Sequence, residues 1–115
     1  MKNFKKMSVK NEGRTELHNS LQLTGAEISI NAMPAKTSVP FVHSHKENEE
    51  IYGFLEGNGY FEIDGEKVEF SQGDWIKVAP KAKRQMFAES DIKYICIQVK
   101  ENSLEQFTQT DAIIY

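Results

Sequence analysis

The sequence predicts an all-β fold, a sandwich or a closed barrel, from two observations. Short segments of alternating or apolar residues recur along the chain, and glycine, proline or Asp-Gly turns separate them. Such a succession of short strands and regular turns is typical of antiparallel sheets that fold onto themselves. The chain has 115 residues without an internal repeat or linker, a length that suits one domain with its own hydrophobic core. We therefore expect a single domain over residues 1–115.

The predicted strands follow one another along the middle of the chain. Residues 26–32 alternate isoleucine with polar side chains, which predicts a half-buried strand. An Asp-Gly pair lies between residues 60–63 and residues 67–70 and predicts a tight hairpin between two strands. The other strands are predicted at residues 41–45, 50–55, 75–78, 85–88 and 92–99. One helical turn is predicted, at residues 103–106.

Two of the three histidines of the chain, His43 and His45, lie two residues apart in the predicted strand at residues 41–45. Alternate side chains of a strand share a face, so both imidazoles can reach one metal ion. Glu50, at the start of the next predicted strand, can add a carboxylate oxygen. Two imidazoles and one carboxylate with open positions form the ligand set of many non-haem iron and related catalytic sites. The sequence therefore predicts a metal site. Glu49 is the alternative carboxylate, and two solvent-facing loop histidines are the alternative to a site.

The residues around this triad resemble the first motif of the cupin superfamily. Residues 40–65 read PFVHSHKENEEIYGFLEGNGYFEIDG: a His-x-His pair, a glutamate, and an apolar strand that ends in glycine. Residues 73–80, GDWIKVAP, resemble the second motif, in which Gly-Asp opens a strand that ends at proline. The resemblance covers about residues 26–99 and favours Glu50 over Glu49 as the ligand. It implies a cupin-type double-stranded β-helix, or jelly-roll barrel, with the terminal segments packed on it or on a partner.

The second motif departs from the family pattern at one position. Metal-binding cupins usually carry a histidine four residues after the proline of this motif, and here that residue is Arg84. Arginine is always protonated and is a poor metal ligand, so the predicted site has three ligands. Arg84 alternates with Met86 and Ala88, which favours an inward-facing side chain. Its guanidinium could then clamp a carboxylate, phosphate or sugar oxygen of a ligand. A surface position in this basic segment is the alternative.

The triad and the resemblance leave three functions open. The first, which we expect, is a metal-dependent enzyme of the oxygenase or isomerase type. One divalent Fe, Mn, Ni or Zn ion would act there on a small polar or anionic metabolite. The second is a non-catalytic small-molecule-binding or sensor protein with Arg84 as the anion anchor. The third is a metal-independent sugar isomerase or epimerase, which does not need the triad. No catalytic residue is assigned. The predicted substrate-binding residues are Arg84, Tyr52, Met86 and Gln98.

Composition and charge argue against several other classes of function. The net charge of −3 argues against nucleic-acid binding through general basicity. The basic N-terminus lacks the apolar stretch of a signal peptide, and no segment is long and apolar enough to span a membrane. The single cysteine, Cys96, excludes an internal disulfide and fits a reducing cytoplasm, where we expect a buried and unreactive thiol. We therefore expect a cytoplasmic protein without nucleic-acid or membrane partners.

The predicted strand at residues 50–55 is largely apolar on both of its faces. A barrel strand that faces water on its outside should be polar there, so we expect this outer face to be covered. A second subunit is the simplest cover, and a terminal strand is the alternative. The sequence therefore predicts a homodimer. The apolar residues 113–115 are a candidate for docking on the same barrel or on that of the partner.

Overall fold

The computed structural model describes residues 3–10 and 12–115. In these residues the regular structure is mostly β, as predicted, and it comprises nine strands and two helical turns. The strands are β1 (Arg14–Glu16), β2 (Glu27–Met33), β3 (Thr37–Ser38), β4 (Asn48–Glu56), β5 (Asn58–Ile63), β6 (Glu66–Ser71), β7 (Trp75–Val78), β8 (Arg84–Ala88) and β9 (Ile92–Lys100). The helical turns are α1 (His18–Leu21) and a 3-10 turn at Thr108–Thr110. Neither turn, nor any other described segment, forms a helix that could cross a membrane.

Two antiparallel sheets pack against each other around the core. The larger sheet has five strands in the order β1-β2-β9-β4-β7, and the smaller has four in the order β3-β8-β5-β6. Strands that are distant in sequence lie side by side, as β9 does between β2 and β4. The predicted hairpin is confirmed, because β5 pairs with β6. Its turn residues Asp64 and Gly65 have φ angles of +49° and +83°, as the favoured two-residue hairpin turn requires.

Seven of the predicted strands are confirmed to within two residues at each end. The strand predicted at residues 41–45 is wrong, because within this segment only His43 forms a bridge, with Arg84. Pro40, just before it, has no N–H with which to extend a ladder. The helical turn predicted at residues 103–106 is also wrong. These residues are exposed, and an isolated turn without a face to bury does not form a stable helix.

The core between the sheets is an aromatic cluster. Tyr52 and Phe54 of β4, Phe61 of β5, Phe70 of β6 and Tyr94 of β9 are all at least 94% buried. The rings of Phe54 and Phe70 stack with their centroids 3.6 Å apart, and Tyr52 meets Phe61 edge to face at 4.8 Å. Several of these rings also form walls of the cavity described below. The hydrophobic core and the cavity therefore share side chains.

Strand β2 buries its polar face. Ser29 and Asn31 are 2% and 4% exposed, whereas Ile28 and Ile30 are partly exposed on the other face. The predicted alternation is confirmed, but the side chains that point into the molecule are the polar ones. Buried polar groups almost always have hydrogen-bond partners. Asn31 Nδ2 donates to Ser29 Oγ at 2.9 Å, and Arg14 supplies the remaining contacts.

The outer face of the larger sheet carries a row of isoleucines. Ile28 lies opposite Ile97, which in turn lies opposite Ile51 on β4. These side chains are partly exposed in the single chain. Their position agrees with the apolar outer face inferred from residues 50–55, and the homodimer stays a prediction. The C-terminal residues 113–115 are exposed, and their docking stays a prediction as well.

Candidate functional site

The predicted ligands His43, His45 and Glu50 lie together in one cavity. Glu50 belongs to β4 and is 4% exposed. The two histidines belong to the segment before β4, which backbone hydrogen bonds hold against the rest of the barrel. His43 and Arg84 exchange N–H···O bonds of 3.1 and 2.9 Å, and His45 N–H donates to Pro80 O at 2.7 Å. An extended, bridged segment thus presents both imidazoles to the carboxylate without being part of a strand.

Each histidine has a nitrogen at the separation from Glu50 Oε1 that two ligands of one ion have from each other. The Nε2 atoms of His43 and His45 lie 3.4 and 3.3 Å from Glu50 Oε1. One ligand atom from each of the three residues can be chosen so that all lie within 4.8 Å of one another. Ligand atoms that bind one ion at about 2.0–2.2 Å, at right or tetrahedral angles, are separated by about 2.8–3.6 Å. The residues present therefore fit a divalent metal ion.

The protonation of His43 and the unpaired nitrogen of His45 also suit a metal. Burial lowers the pKa of His43, and the charge of Arg84 adds to this effect, while Glu50 opposes it. The neutral imidazole is the form that binds a metal. His45 Nε2 is buried and makes no hydrogen bond to any described residue, despite its short distance to Glu50. A buried polar atom without a partner is rare, and a nitrogen lone pair directed at a ligand position accounts for it.

Protein donors surround the carboxylate of Glu50. Its Oε1 accepts hydrogen bonds from Arg84 Nη1 at 2.9 Å and from the Tyr52 hydroxyl at 2.6 Å. Its Oε2 accepts a hydrogen bond from the Cys96 thiol at 3.4 Å. Burial acts to raise the pKa of Glu50, but Tyr52, His45, Cys96 and Arg84 together outweigh it, so the pKa lies below its usual value. Glu50 is therefore a carboxylate at neutral pH.

The Tyr52 hydroxyl and the Cys96 thiol of this network stay protonated. Burial, helped by the nearby negative charge of Glu50, raises the pKa of Cys96 to about 12. Burial likewise raises the pKa of Tyr52 above its ordinary value. Both groups therefore act as hydrogen-bond donors, and the buried thiol is unreactive, in agreement with the expectation for Cys96.

Arg84 stands where the second cupin motif usually has a histidine. Its side chain lies in the interior of the protein. Its side chain is 1% exposed. Nη1 donates to Glu50, and Nη2 donates to the backbone oxygens of Ala79 and Pro80, while Nε has no partner among the described residues. The alternative of a surface position is therefore wrong. Anchoring of an anion by Arg84 stays a prediction, since both terminal nitrogens already have protein acceptors.

The cavity has a volume of about 440 Å³, within the range of small-molecule sites. The other predicted substrate-binding residues, Tyr52, Met86 and Gln98, all line it, and their contact with a substrate stays a prediction. Arg14, from the short strand β1, lines it too and was not predicted as a site residue. Its neighbours in sequence form no motif. The one available signal was that the chain contains only two arginines.

Comparison with protein families identifies the fold. Residues 30–98, more than half of the chain, match the model of the cupin domain family. The chain belongs to the cupin family. The predicted jelly-roll barrel of the cupin type is thereby confirmed, and the paired sheets around an interior site are those of this fold. The two segments that resemble the cupin motifs both lie within the matched residues.

Solved structures agree with this assignment, and one curated relative matches part of the chain. The crystal structure of a cupin protein from Bacteroides fragilis is 58% identical, with a TM-score of 0.96, and covers 100% of this chain and 99% of that one. A protein from Thermotoga maritima, described as a predicted oxalate decarboxylase, is 23% identical with a TM-score of 0.59 over 64% of each chain; this likeness shows the fold alone. An uncharacterised protein of Methanocaldococcus jannaschii is 38% identical over 61 residues, which is 51% of this cupin and about half of that relative.

Proposed function

We propose that this cupin binds one divalent transition-metal ion through His43, His45 and Glu50 and acts as a metal-dependent enzyme on a small polar or anionic molecule. One observation carries the proposal. Two imidazole nitrogens lie 3.3 and 3.4 Å from a single carboxylate oxygen in a cavity large enough for a small molecule, and one of them is buried without a hydrogen-bond partner among the described residues. Fe, Mn, Ni and Zn all accept two imidazoles and a carboxylate.

A metal ion held at these residues supplies Lewis acidity or, for a redox-active ion, activation of oxygen. The residues of the chain position the ligands. Arg84 and Tyr52 orient the Glu50 carboxylate through two hydrogen bonds to Oε1. The buried aromatic walls around Tyr52 exclude water from one side of the cavity. His43 and His45 retain side-chain exposures of 31% and 25%, so the site is open to an incoming molecule.

One observation favours a second function, the metal-independent binding of a small molecule. Arg84 places a permanent positive charge 2.9 Å from the same Glu50 oxygen that a metal would use. A buried guanidinium that pairs with the carboxylate and with two backbone oxygens neutralises Glu50 without an ion. In that case the histidines and Glu50 form a polar wall of a ligand pocket.

The metal content of untagged protein decides between these functions. We expect close to one ion per chain in the wild type and at least about tenfold less in His45→Ala. His18→Ala is the matched control, because His18 is the third histidine and is exposed; we expect it to keep the wild-type metal content. The measurement is elemental mass spectrometry after incubation with Fe, Mn, Ni and Zn under reducing conditions.

Two results would contradict the metal proposal. A wild-type protein that stays free of metal under these conditions would favour the metal-independent binding function. Metal that persists in His45→Ala would instead show that the ion binds elsewhere than at the triad.

A further inference from the structure

Both arginines of the chain, Arg14 and Arg84, line the cavity, and none of the described lysines does. Arginine differs from lysine in its planar fork of donors, which matches the geometry of a carboxylate. The lysines lie elsewhere on a chain whose net charge is −3. The cavity thus concentrates the cations that are best suited to bind an oxyanion. Among its described lining residues the one carboxylate is that of Glu50, and Glu16, which pairs with Arg14 Nε, does not line it.

The two arginines differ in how many of their hydrogen-bond donors bind to protein acceptors. The Nη atoms of Arg84 all donate to protein acceptors. The side chain of Arg14 is 51% exposed; its Nη1 contacts Ser29 and Asn31, and its Nε donates to the exposed carboxylate of Glu16 at 3.2 Å. Within residues 3–10 and 12–115, Arg14 Nη2 makes no hydrogen bond. Arg14 therefore has donors to offer to a ligand.

Two buried polar side chains orient the guanidinium of Arg14. Its Nη1 donates to Asn31 Oδ1 at 2.8 Å and approaches Ser29 Oγ at 3.4 Å. Asn31 also donates to Ser29 at 2.9 Å. Ser29 and Asn31 are buried to at least 96%, and burying such groups is costly unless they are hydrogen-bonded. The polar inner face of β2 thus serves as a platform that holds one cation at the cavity.

The register of the strands relates Arg14 to the metal ligands. Ser29, which Arg14 contacts, pairs directly with Cys96 on the adjacent strand. The Cys96 thiol contacts the other end of the site, at 3.4 Å from Glu50 Oε2. Adjacent strands lie about 4.8 Å apart, so these steps put the guanidinium at most on the order of 10 Å from the Glu50 carboxylate. A small organic molecule can bridge a separation of this size.

The walls between these two ends are apolar and aromatic. Tyr52, Phe61, Met86 and Tyr94 all line the cavity, and each is at most 6% exposed. Side chains of this kind contact the apolar body of a ligand, while a charged group at the end of the cavity fixes the orientation of the ligand. A ligand complementary to this cavity has an apolar body and an anionic end.

We propose that Arg14 is the anion anchor of the cavity and that its ligand is a small carboxylate with an apolar body, which points its other end at His43, His45 and Glu50. This proposal names the substrate class of the proposed function, and it rests on that function for the statement that the ligand is a substrate. The binding of the carboxylate by Arg14 requires no metal.

The test compares carboxylates with their neutral amides. The probes are isobutyrate and benzoate, with isobutyramide and benzamide as isosteres, titrated calorimetrically into metal-loaded protein and into protein treated with a chelator. We expect at least one carboxylate to bind at least about tenfold more tightly than its amide, in both metal states. Arg14→Gln should abolish this preference and leave the affinity for the amide unchanged. Lys67→Gln, which removes an exposed charge outside the cavity, should keep it.

A second measurement does not depend on the stability of the variant. With only two arginines in the chain, the ¹⁵N spectrum of the wild type contains two arginine Nε–H signals, which Arg14→Lys assigns. We expect the carboxylate probe, and not its amide, to shift the Arg14 signal. A shift confined to Arg84, no shift at all, or an unchanged preference in Arg14→Gln would overturn the proposal.

Because the chelator-treated protein is tested as well, failure of the two proposals can be distinguished. An absence of metal from the wild type refutes the metal proposal while the Arg14-dependent preference survives. The absence of any preference for carboxylate over amide in both metal states refutes the anion anchor, whatever the metal content.

Discussion

Arg14 and Arg84 line the same cavity, yet the protein uses them differently. Arg84 is 1% exposed and donates to a carboxylate and two backbone oxygens. Arg14 is half-exposed: its Nη1 contacts Ser29 and Asn31, and its Nε pairs with the exposed Glu16 at 3.2 Å. We infer that a buried cation enclosed by protein acceptors serves the structure, while a half-exposed one that keeps an unused donor can bind a ligand. Three predictions test this difference.

The largest difference is expected in stability. Arg84→Met should lower the free energy of unfolding by about 3–5 kcal/mol, because it leaves the buried Glu50 carboxylate without its cation. Arg14→Gln should cost about 1–2 kcal/mol, because water can replace a half-exposed guanidinium. Urea denaturation in the presence of a chelator measures both values. Equal losses in the two variants would show that the two arginines are not used differently.

The next effect is on metal affinity. Arg84→His removes a fixed positive charge beside Glu50 and places an imidazole where the cupin motif usually has one. We expect zinc affinity to rise at least about tenfold, as measured by competition with a chromogenic chelator. Arg84→Met separates the loss of charge from the gain of a ligand and should give an intermediate affinity. Arg14→Gln should bind zinc like the wild type. A zinc affinity in Arg84→His no higher than in the wild type would contradict the position assigned to Arg84.

The smallest effect concerns the titration of His43. Burial and the charge of Arg84 lower its pKa below 6.5, so neutral His43 favours the folded state. This contribution to stability is present above about pH 6.5 and is lost as the pH falls through the folded-state pKa. Arg84→Met should raise the pKa of His43, whereas Arg14→Gln should leave it unchanged, since Arg14 is not among the groups that act on it.

The measurement is an NMR titration of the His43 Hε1 proton in metal-free protein. The variant His18→Ala is the control for assignment. It leaves the cavity intact, so its spectrum keeps the His43 signal. A pKa that does not rise in Arg84→Met would show that the charge of Arg84 is screened from His43, despite the backbone bridge between the two residues.

Local patterns in the sequence were sufficient to predict most strands and the triad. Alternation and an Asp-Gly turn mark β4 to β9 because strand geometry has a period of two residues. The spacing of His43, His45 and Glu50 brings them together even though the expected strand at residues 41–45 is absent. An extended segment held by one bridge presents alternate side chains in nearly the same way. The ligand prediction therefore did not depend on the assignment of that strand.

The roles of the two arginines could not be read from local patterns. Arg84 pairs with Glu50 across 34 residues, and Arg14 reaches Asn31 only because the three-residue strand β1 pairs with β2. The same pairing gives the buried Ser29 and Asn31 a hydrogen-bond partner in Arg14. By itself the sequence determined the all-β fold class and the two histidines, because these depend on periodicity and short spacing, and its resemblance to the cupin motif selected Glu50 over Glu49. The tertiary structure decided which arginine is enclosed by protein acceptors and which keeps an unused donor at the cavity, because charge pairing and burial depend on contacts between residues that are distant in sequence.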